Sequence, residues 1–289
     1  MLLKALARRW RRNAPVATLM LAASCLLTTV PQFFAGEAYS GFTGDPLRSG
    51  AWWCWTLPCF SHSPEFLLPH LLGNLAVLLL MGGFAEAVLG SRRLALVSMT
   101  TLIGTTLMNV LRNGGVGHGA SGIFWGYHAF ALLFLVVYVE QRGRRAFRDA
   151  LTWIWILMFA FDFVGINALE VLVMKWRFFD NFGQTGHLAS VVLALPFALA
   201  WRKPAEEGLK ELIAGKPPRR TGGRLPLILL SAVCVLNAAS TAYALHRSTD
   251  PGAPELAAVP AAVAGEKLRL GYAIAKLHGG EVRIALEYE

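Results

Sequence analysis

Residues 119–139 read GASGIFWGYHAFALLFLVVYV, a stretch without a single Asp, Glu, Lys or Arg. A helix of about 20 apolar residues spans the hydrocarbon core of a bilayer, so the segment predicts a membrane-crossing helix that opens on Gly119-Ala120-Ser121-Gly122. Outward from it, comparable apolar windows recur at roughly 15–35, 66–88, 93–112, 148–172, 186–201 and 225–246, and short clusters of Arg and Lys separate them. A transmembrane β-barrel would instead alternate in polarity over segments of about 10 residues, and no such pattern occurs across these windows. The sequence therefore predicts an all-α, polytopic transmembrane helical bundle with seven spans.

Composition agrees. The 289 residues are 55% hydrophobic and 16% charged, with a mean hydropathy of +0.48, against about 25% charged in an ordinary soluble domain. The net charge of +9 invites comparison with nucleic-acid binders. Its distribution argues otherwise, because the basic residues sit in connecting loops and not on one helical face beside aromatic platforms. Eighteen of the 27 Lys and Arg residues fall on one side if the N-terminus is cytoplasmic: before the first span, at Arg92-Arg93, at 142–148 and at 202–224. The positive-inside rule then predicts a cytoplasmic N-terminus and an extracytoplasmic tail, in what reads as a bacterial inner membrane. The N-terminus has features of a signal peptide, but its apolar run continues past Cys25 towards Phe34 and reads as a retained first span. Cys25 and Cys234 read as small hydrophobes within spans, and a Cys54–Cys59 disulfide in the first outer loop is left open. The tail, 247–289, begins rich in Pro and Ala. It then alternates in character on either side of Gly279-Gly280, as a β-hairpin would.

Strongly polar groups inside spans are costly, so each marks a candidate site. Four stand out: His70 and Asn74 on the second span, Ser121 opening the fourth, and His187 opening the sixth. The predicted topology puts all four in the outer half of the membrane. Each alone has an ordinary reading. His70 and Asn74 are i and i+4 on one face and suit interhelical hydrogen bonding; the small residues around Ser121 suit close packing; His187 suits an interface. Together, a serine, a histidine and an amide at one depth are the inventory of acyl transfer.

The segment His70-Leu71-Leu72-Gly73-Asn74 resembles the HxxxN motif of rhomboid proteases. Gly82 to Glu86 with Leu89-Gly90-Ser91 is similar to the family's GxxxExxxGS stretch, and Gly119-Ala120-Ser121-Gly122 to its GxSG motif. Asp162 with Gly165 resembles a feature of the fifth helix, and Gly186-His187 stands where the family's catalytic histidine opens the sixth. The resemblance covers about residues 10–205. It implies that Ser121 is the nucleophile and His187 its general base, without a carboxylate. It further implies that His70, Asn74 and the Ser121 N–H stabilise the oxyanion, with Gly119 and Gly122 giving room and Trp125 stacking on the histidine. The organisation follows: a basic cytoplasmic N-terminus (1–14), a rhomboid-like six-helix core (15–205), a basic cytoplasmic linker (206–224), a seventh span (225–246) and the tail. Departures are Cys54 after Trp53 in place of the family's arginine, a wider spacing from His62 to His70, and Ser190 and Ala194 in place of glycines after His187. His118 reads as a solvent-facing loop residue.

The resemblance implies an intramembrane serine endopeptidase whose partners are the bilayer and transmembrane protein substrates, with Trp176, Phe178, Phe179 and Phe182 near a lateral gate. The alternatives are a rhombosortase-like enzyme that processes C-terminal anchors and an inactive relative that binds membrane proteins. No cofactor and no metal is expected, since the histidines lack Cys or carboxylate partners at ligand spacing. Nucleic acid is not an expected partner, and the oligomeric state is left open.

Overall fold

The computed structural model describes residues 1–40, 56–62, 67–113, 119–165, 182–217, 223–249 and two short strands in the tail. The described residues are almost wholly helical. They form α1 (Leu2–Arg12), α2 (Val16–Ser40), α3 (Leu57–Phe60), α4 (Leu67–Leu89, with a π-helical turn at Leu78–Gly82) and α5 (Ser91–Asn113). Next come α6 (Ser121–Phe124), α7 (Tyr127–Arg142), α8 (Ala150–Ala160, extended by a π-helical turn Phe161–Gly165), α9 (Phe182–Ala200), α10 (Arg202–Ile213) and α11 (Leu225–Thr249). In the tail, β1 (Ala275–Leu277) pairs antiparallel with β2 (Gly280–Val282), with Ala275 opposite Val282.

Within the described residues, each of the seven apolar windows overlaps a helix. Among the described residues, four are long and apolar enough to cross a membrane alone: Val16–Phe34, Leu67–Leu89, Ser121–Arg148 and Leu225–His246. Gly186–Ala200 and Arg202–Ile213, bent by 76°, add a fifth if the pair is one span. Helix α5 falls short of that criterion for a physical reason. It packs against α9, α11, α2 and α6 in the middle of the bundle and so need not be apolar all round. Its buried hydroxyls return their protons to its own backbone: Ser98 to Leu94 O (2.8 Å), Thr101 to Val97 O (3.0 Å) and Thr105 to Thr101 O (2.6 Å).

Aromatic packing joins the bundle at its centre. Phe84 of α4 meets Trp155 of α8 and Phe134 of α7 edge to face, at 4.6 and 5.2 Å between centroids. Where α5, α7 and α9 converge, Gly126 leaves so little room that an added Cβ would lie 2.7 Å from Thr101 Cγ2 and 3.3 Å from Ala194 Cβ. Polar bonds fix the order of the helices. Glu86 of α4 is 4% exposed, and its carboxylate accepts the N–H groups of Ala17 (3.0 Å) and Thr18 (2.8 Å) and the Thr18 hydroxyl (2.6 Å). Those are orphan donors of the first turn of α2, where the helix dipole also favours a negative charge. At the other edge, Asn237 of α11 donates to Thr28 Oγ1 of α2 at 2.8 Å.

Three features differ from the sequence reading. The basic N-terminal segment, 1–14, contains a helix: α1 is amphipathic, burying Leu2, Ala5, Leu6 and Arg9, and Asp149 accepts the Leu2 N–H at 2.8 Å. The region after the sixth span, including part of 206–224, is helical through Ile213, and α10 buries Ala205, Gly208, Leu209 and Leu212. Both segments are too charged for an apolar window to register, yet each carries one apolar stripe. The third difference is at α9, which begins at Phe182, so His187 lies inside the helix and not at its start. Hydropathy windows end where polar side chains begin, whereas a helix ends where its backbone bonds end. Trp53, Cys54, His118 and Trp176 to Phe179 lie outside the described residues. Phe182 is described by its backbone alone.

Candidate active site

Ser121 opens the single turn α6, and Trp125 follows one turn later on the same face, with its N–H bonded to Ser121 O at 2.9 Å. The chain reaches Ser121 through Gly119, whose φ of +113° lies in the region that only glycine enters without strain. The Gly119 N–H is tied to Pro58 O of α3 at 3.0 Å, and a Cβ at Gly119 would stand 2.9 Å from the His70 ring. The glycine thus lets a first-turn backbone, with free N–H groups, lie against a histidine from another helix.

His187 comes from α9 to meet the serine. Its Nε2 is 2.7 Å from Ser121 Oγ, and its ring lies flat against Trp125 at 4.4 Å with planes inclined by 4°. Ser121 is 7% exposed. The other ring nitrogen, Nδ1, is buried and has no hydrogen-bond partner among the described residues; the hydroxyl of Ser190, one helical turn along α9, is likewise buried and unpartnered. Ser190 and Ala194 face Gly126, so close packing against the fourth span survives without the glycines.

The expected pair on α4 divides. His70, partly exposed, faces Gly119 and Ser121. Asn74, one turn further into the membrane, instead has its amide nitrogen 2.9 Å from His62 Nε2. His62 is fully buried and held on every side: Nδ1 is 2.7 Å from Thr29 Oγ1, and its backbone exchanges two 3.0 Å bonds with the Gln32 amide. Its ring meets the His70 ring edge-on at 4.8 Å between centroids. Asn74 therefore reaches the site through the His62 and His70 rings, and the wider His62–His70 spacing is no obstacle to their contact.

Behind Trp125 lies a second polar pair that the sequence reading did not assemble. His128 Nε2 is 2.7 Å from Asp162 Oδ2, and His128 Nδ1 is 3.2 Å from Trp125 O. Phe163 packs on both Trp125 and His128, at 4.8 and 5.4 Å. His187, Trp125, His128 and Asp162 form a layered stack that runs from α9 through α6 and α7 to the end of α8. The signal was present in the sequence: His128 follows Trp125 by three residues, so the two share a helical side. Gly122 packs on Thr105 Oγ1 of α5, where an added Cβ would come within 3.0 Å. Among the described residues, no three His, Cys, Asp or Glu side chains gather as metal ligands would.

A serine hydroxyl in contact with an imidazole nitrogen is the arrangement that lets a base take the proton of a nucleophile. No curated protein matches the chain. The family model for the Rhomboid domain matches residues 49–203, a stretch that contains His62, His70, Asn74, Ser121, Trp125, Asp162 and His187. By that match, over more than half its length, the chain belongs to the rhomboid family.

Proposed function

We propose that the protein is an intramembrane serine endopeptidase that hydrolyses peptide bonds in or near transmembrane segments of other membrane proteins. The observation that carries this reading is the 2.7 Å approach of His187 Nε2 to Ser121 Oγ, with Trp125 flat against the imidazole. In this reading Ser121 Oγ attacks the scissile carbonyl carbon while Nε2 takes its proton. His187 then returns that proton to the leaving amine, and a water repeats the cycle on the acyl-enzyme. The oxyanion is met by the Ser121 N–H at the start of α6 and by His70, with Asn74 and His62 holding the His70 side of the site. One preorganised oxyanion donor is typically worth about 3–4 kcal/mol.

The same reading assigns α2 to α9 to a six-helix core and α11 to a seventh span. It sets α1 and α10 at the cytoplasmic face of a bacterial inner membrane and the tail at the other. A helical substrate must unwind before attack, which favours small or helix-weakening residues beside the scissile bond. The test is cleavage of a tagged membrane-anchored substrate in membranes, comparing wild type with Ser121→Ala and His187→Ala, together with fluorophosphonate labelling. Loss of both cleavage and labelling in each variant at equal expression is the expected result. Absence of fluorophosphonate labelling on wild-type Ser121 would overturn the hydrolase reading.

A further inference from the structure

Four cations from two distant parts of the chain surround one cavity at the end of the bundle opposite Ser121. Helix α4 defines the two ends: His70 lies near its start beside Gly119, and its last residues, 83–89, pack against α1 and α10. The cavity is about 60 Å³, and its walls include Arg8, Arg9, Arg12 and Asn13 from α1 and its end, and Gly215 and Lys216 just after α10. A water-sized group needs roughly 10–15 Å³. The cavity therefore takes on the order of four such groups, as many as a phosphate has oxygens.

Arg9 distinguishes this cavity from an ordinary run of surface charge. It is 5% exposed, its Nη1 donates to Ala87 O in the last turn of α4 at 3.1 Å, and its Nη2 has no hydrogen-bond partner among the described residues. Burial pulls its guanidinium below the ordinary pKa, while nearby Glu211 acts in the other direction. Arg8, Arg12 and Lys216 are exposed, and Arg12 Nη1 reaches Gly215 O at 3.4 Å to tie the two walls together. Among the described residues, none of the four cations is within ion-pair distance of a carboxylate. Guanidinium groups present planar pairs of donors that match phosphate oxygens, and a buried one gains most from such a partner.

We propose that this cavity binds a phosphate group, supplied by the headgroup of an anionic phospholipid. The lipid source follows from location. The cavity sits where a membrane-spanning helix ends, between an amphipathic helix and one that leaves α9 at 76°. Helix α1 also exposes Met1 and Leu3, which acyl chains would cover. Basic clefts at the cytoplasmic ends of spans meet the leaflet that carries most anionic lipid. The inference stands apart from the chemistry of Ser121.

The test uses the full chain in neutral detergent, titrated with short-chain phosphatidylglycerol, short-chain phosphatidylcholine or inorganic phosphate and read by native mass spectrometry. Wild type is expected to retain phosphatidylglycerol. The combined Arg8→Gln, Arg12→Gln, Lys216→Gln variant should bind it about tenfold more weakly or worse, the effect of losing even one charge-assisted hydrogen bond. Arg144→Gln with Arg145→Gln, in the basic 3-10 helical turn Gly143–Arg148, should bind as wild type does. Arg9→Gln is the sharper change, and the surface triple variant keeps the test decisive if Arg9→Gln fails to fold. Equal binding by the triple variant, or equal binding of phosphatidylcholine, would overturn the site. Displacement of the lipid by inorganic phosphate at comparable concentration would keep the site but overturn the lipid as its source.

Discussion

At the scale of single residues, the site depends on how one imidazole is held. Among the described residues, no charged group hydrogen-bonds to His187; the flat contact with Trp125 at 4.4 Å fixes its plane, and Ser121 Oγ meets Nε2. Trp125→Ala should therefore lower kcat/KM by about 10- to 100-fold, the usual result of losing the alignment of a reacting group. Trp125→Tyr should recover much of that loss, since a flat ring remains. Steady-state kinetics on a cleavable substrate reads both, and equal activity in Trp125→Ala would remove the aromatic from the mechanism. Ser190 gives the opposite expectation. Its buried hydroxyl has no partner among the described residues, so Ser190→Ala should stabilise the protein by about 1 kcal/mol and leave activity nearly unchanged. A marked fall in activity would instead mean that the hydroxyl turns towards Nδ1 of His187. At Gly119, any Cβ combines a φ of +113° with contact against the His70 ring. Gly119→Ala should abolish fluorophosphonate labelling of Ser121 while leaving the protein folded in detergent, because the strain falls at the site.

Among the elements, polar caps and small-residue contacts do what apolar burial cannot do in lipid, where helices gain little from hiding apolar surface from one another. Glu86 is the clearest instance, a carboxylate of α4 that caps α2 with three hydrogen bonds of 3.0 Å or less. Glu86→Gln keeps the shape but removes the charge and turns one acceptor into a donor facing other donors. A loss of about 1.5–3 kcal/mol in detergent unfolding is expected. An unchanged unfolding midpoint would mean that α2 is held by its other contacts alone. The aromatic and polar stack from His187 to Asp162 works at the same scale: it ties the end of α8 to the helices that carry the serine, through a buried His128–Asp162 contact of 2.7 Å.

For the molecule as a whole, among the described residues, α1, α10 and the last residues of α4 fall at one end, and Ser121 and His70 at the other. If that polarity is the membrane orientation, a phosphatase that is active only outside the cytoplasm should be inactive when fused after Lys216 and active after Thr249. The reverse pattern would invert the proposed topology. Reading the sequence alone goes far in this protein, because a run of about 20 predominantly apolar residues marks a candidate span, and lipid admits few alternatives to helix. The positions of α2, α4, α5, α7, α8, α9 and α11 were legible for that reason, as was the grouping of His70, Ser121 and His187. Helices α1 and α10 were not, since a charged amphipathic helix looks like a loop to an apolar window. Nor does spacing along the chain reveal which polar groups meet. The approach of Asn74 to His62, the pairing of His128 with Asp162 and the convergence of Arg9 with Lys216 join residues 12, 34 and 207 positions apart. Hydropathy and local motifs determined that this chain is a helical membrane protein with a serine and histidines set in or beside its apolar segments. Only tertiary packing decided which side chain turns to which, because hydrogen bonds and ring contacts depend on positions to within about half an ångström, and helix crossings set those positions.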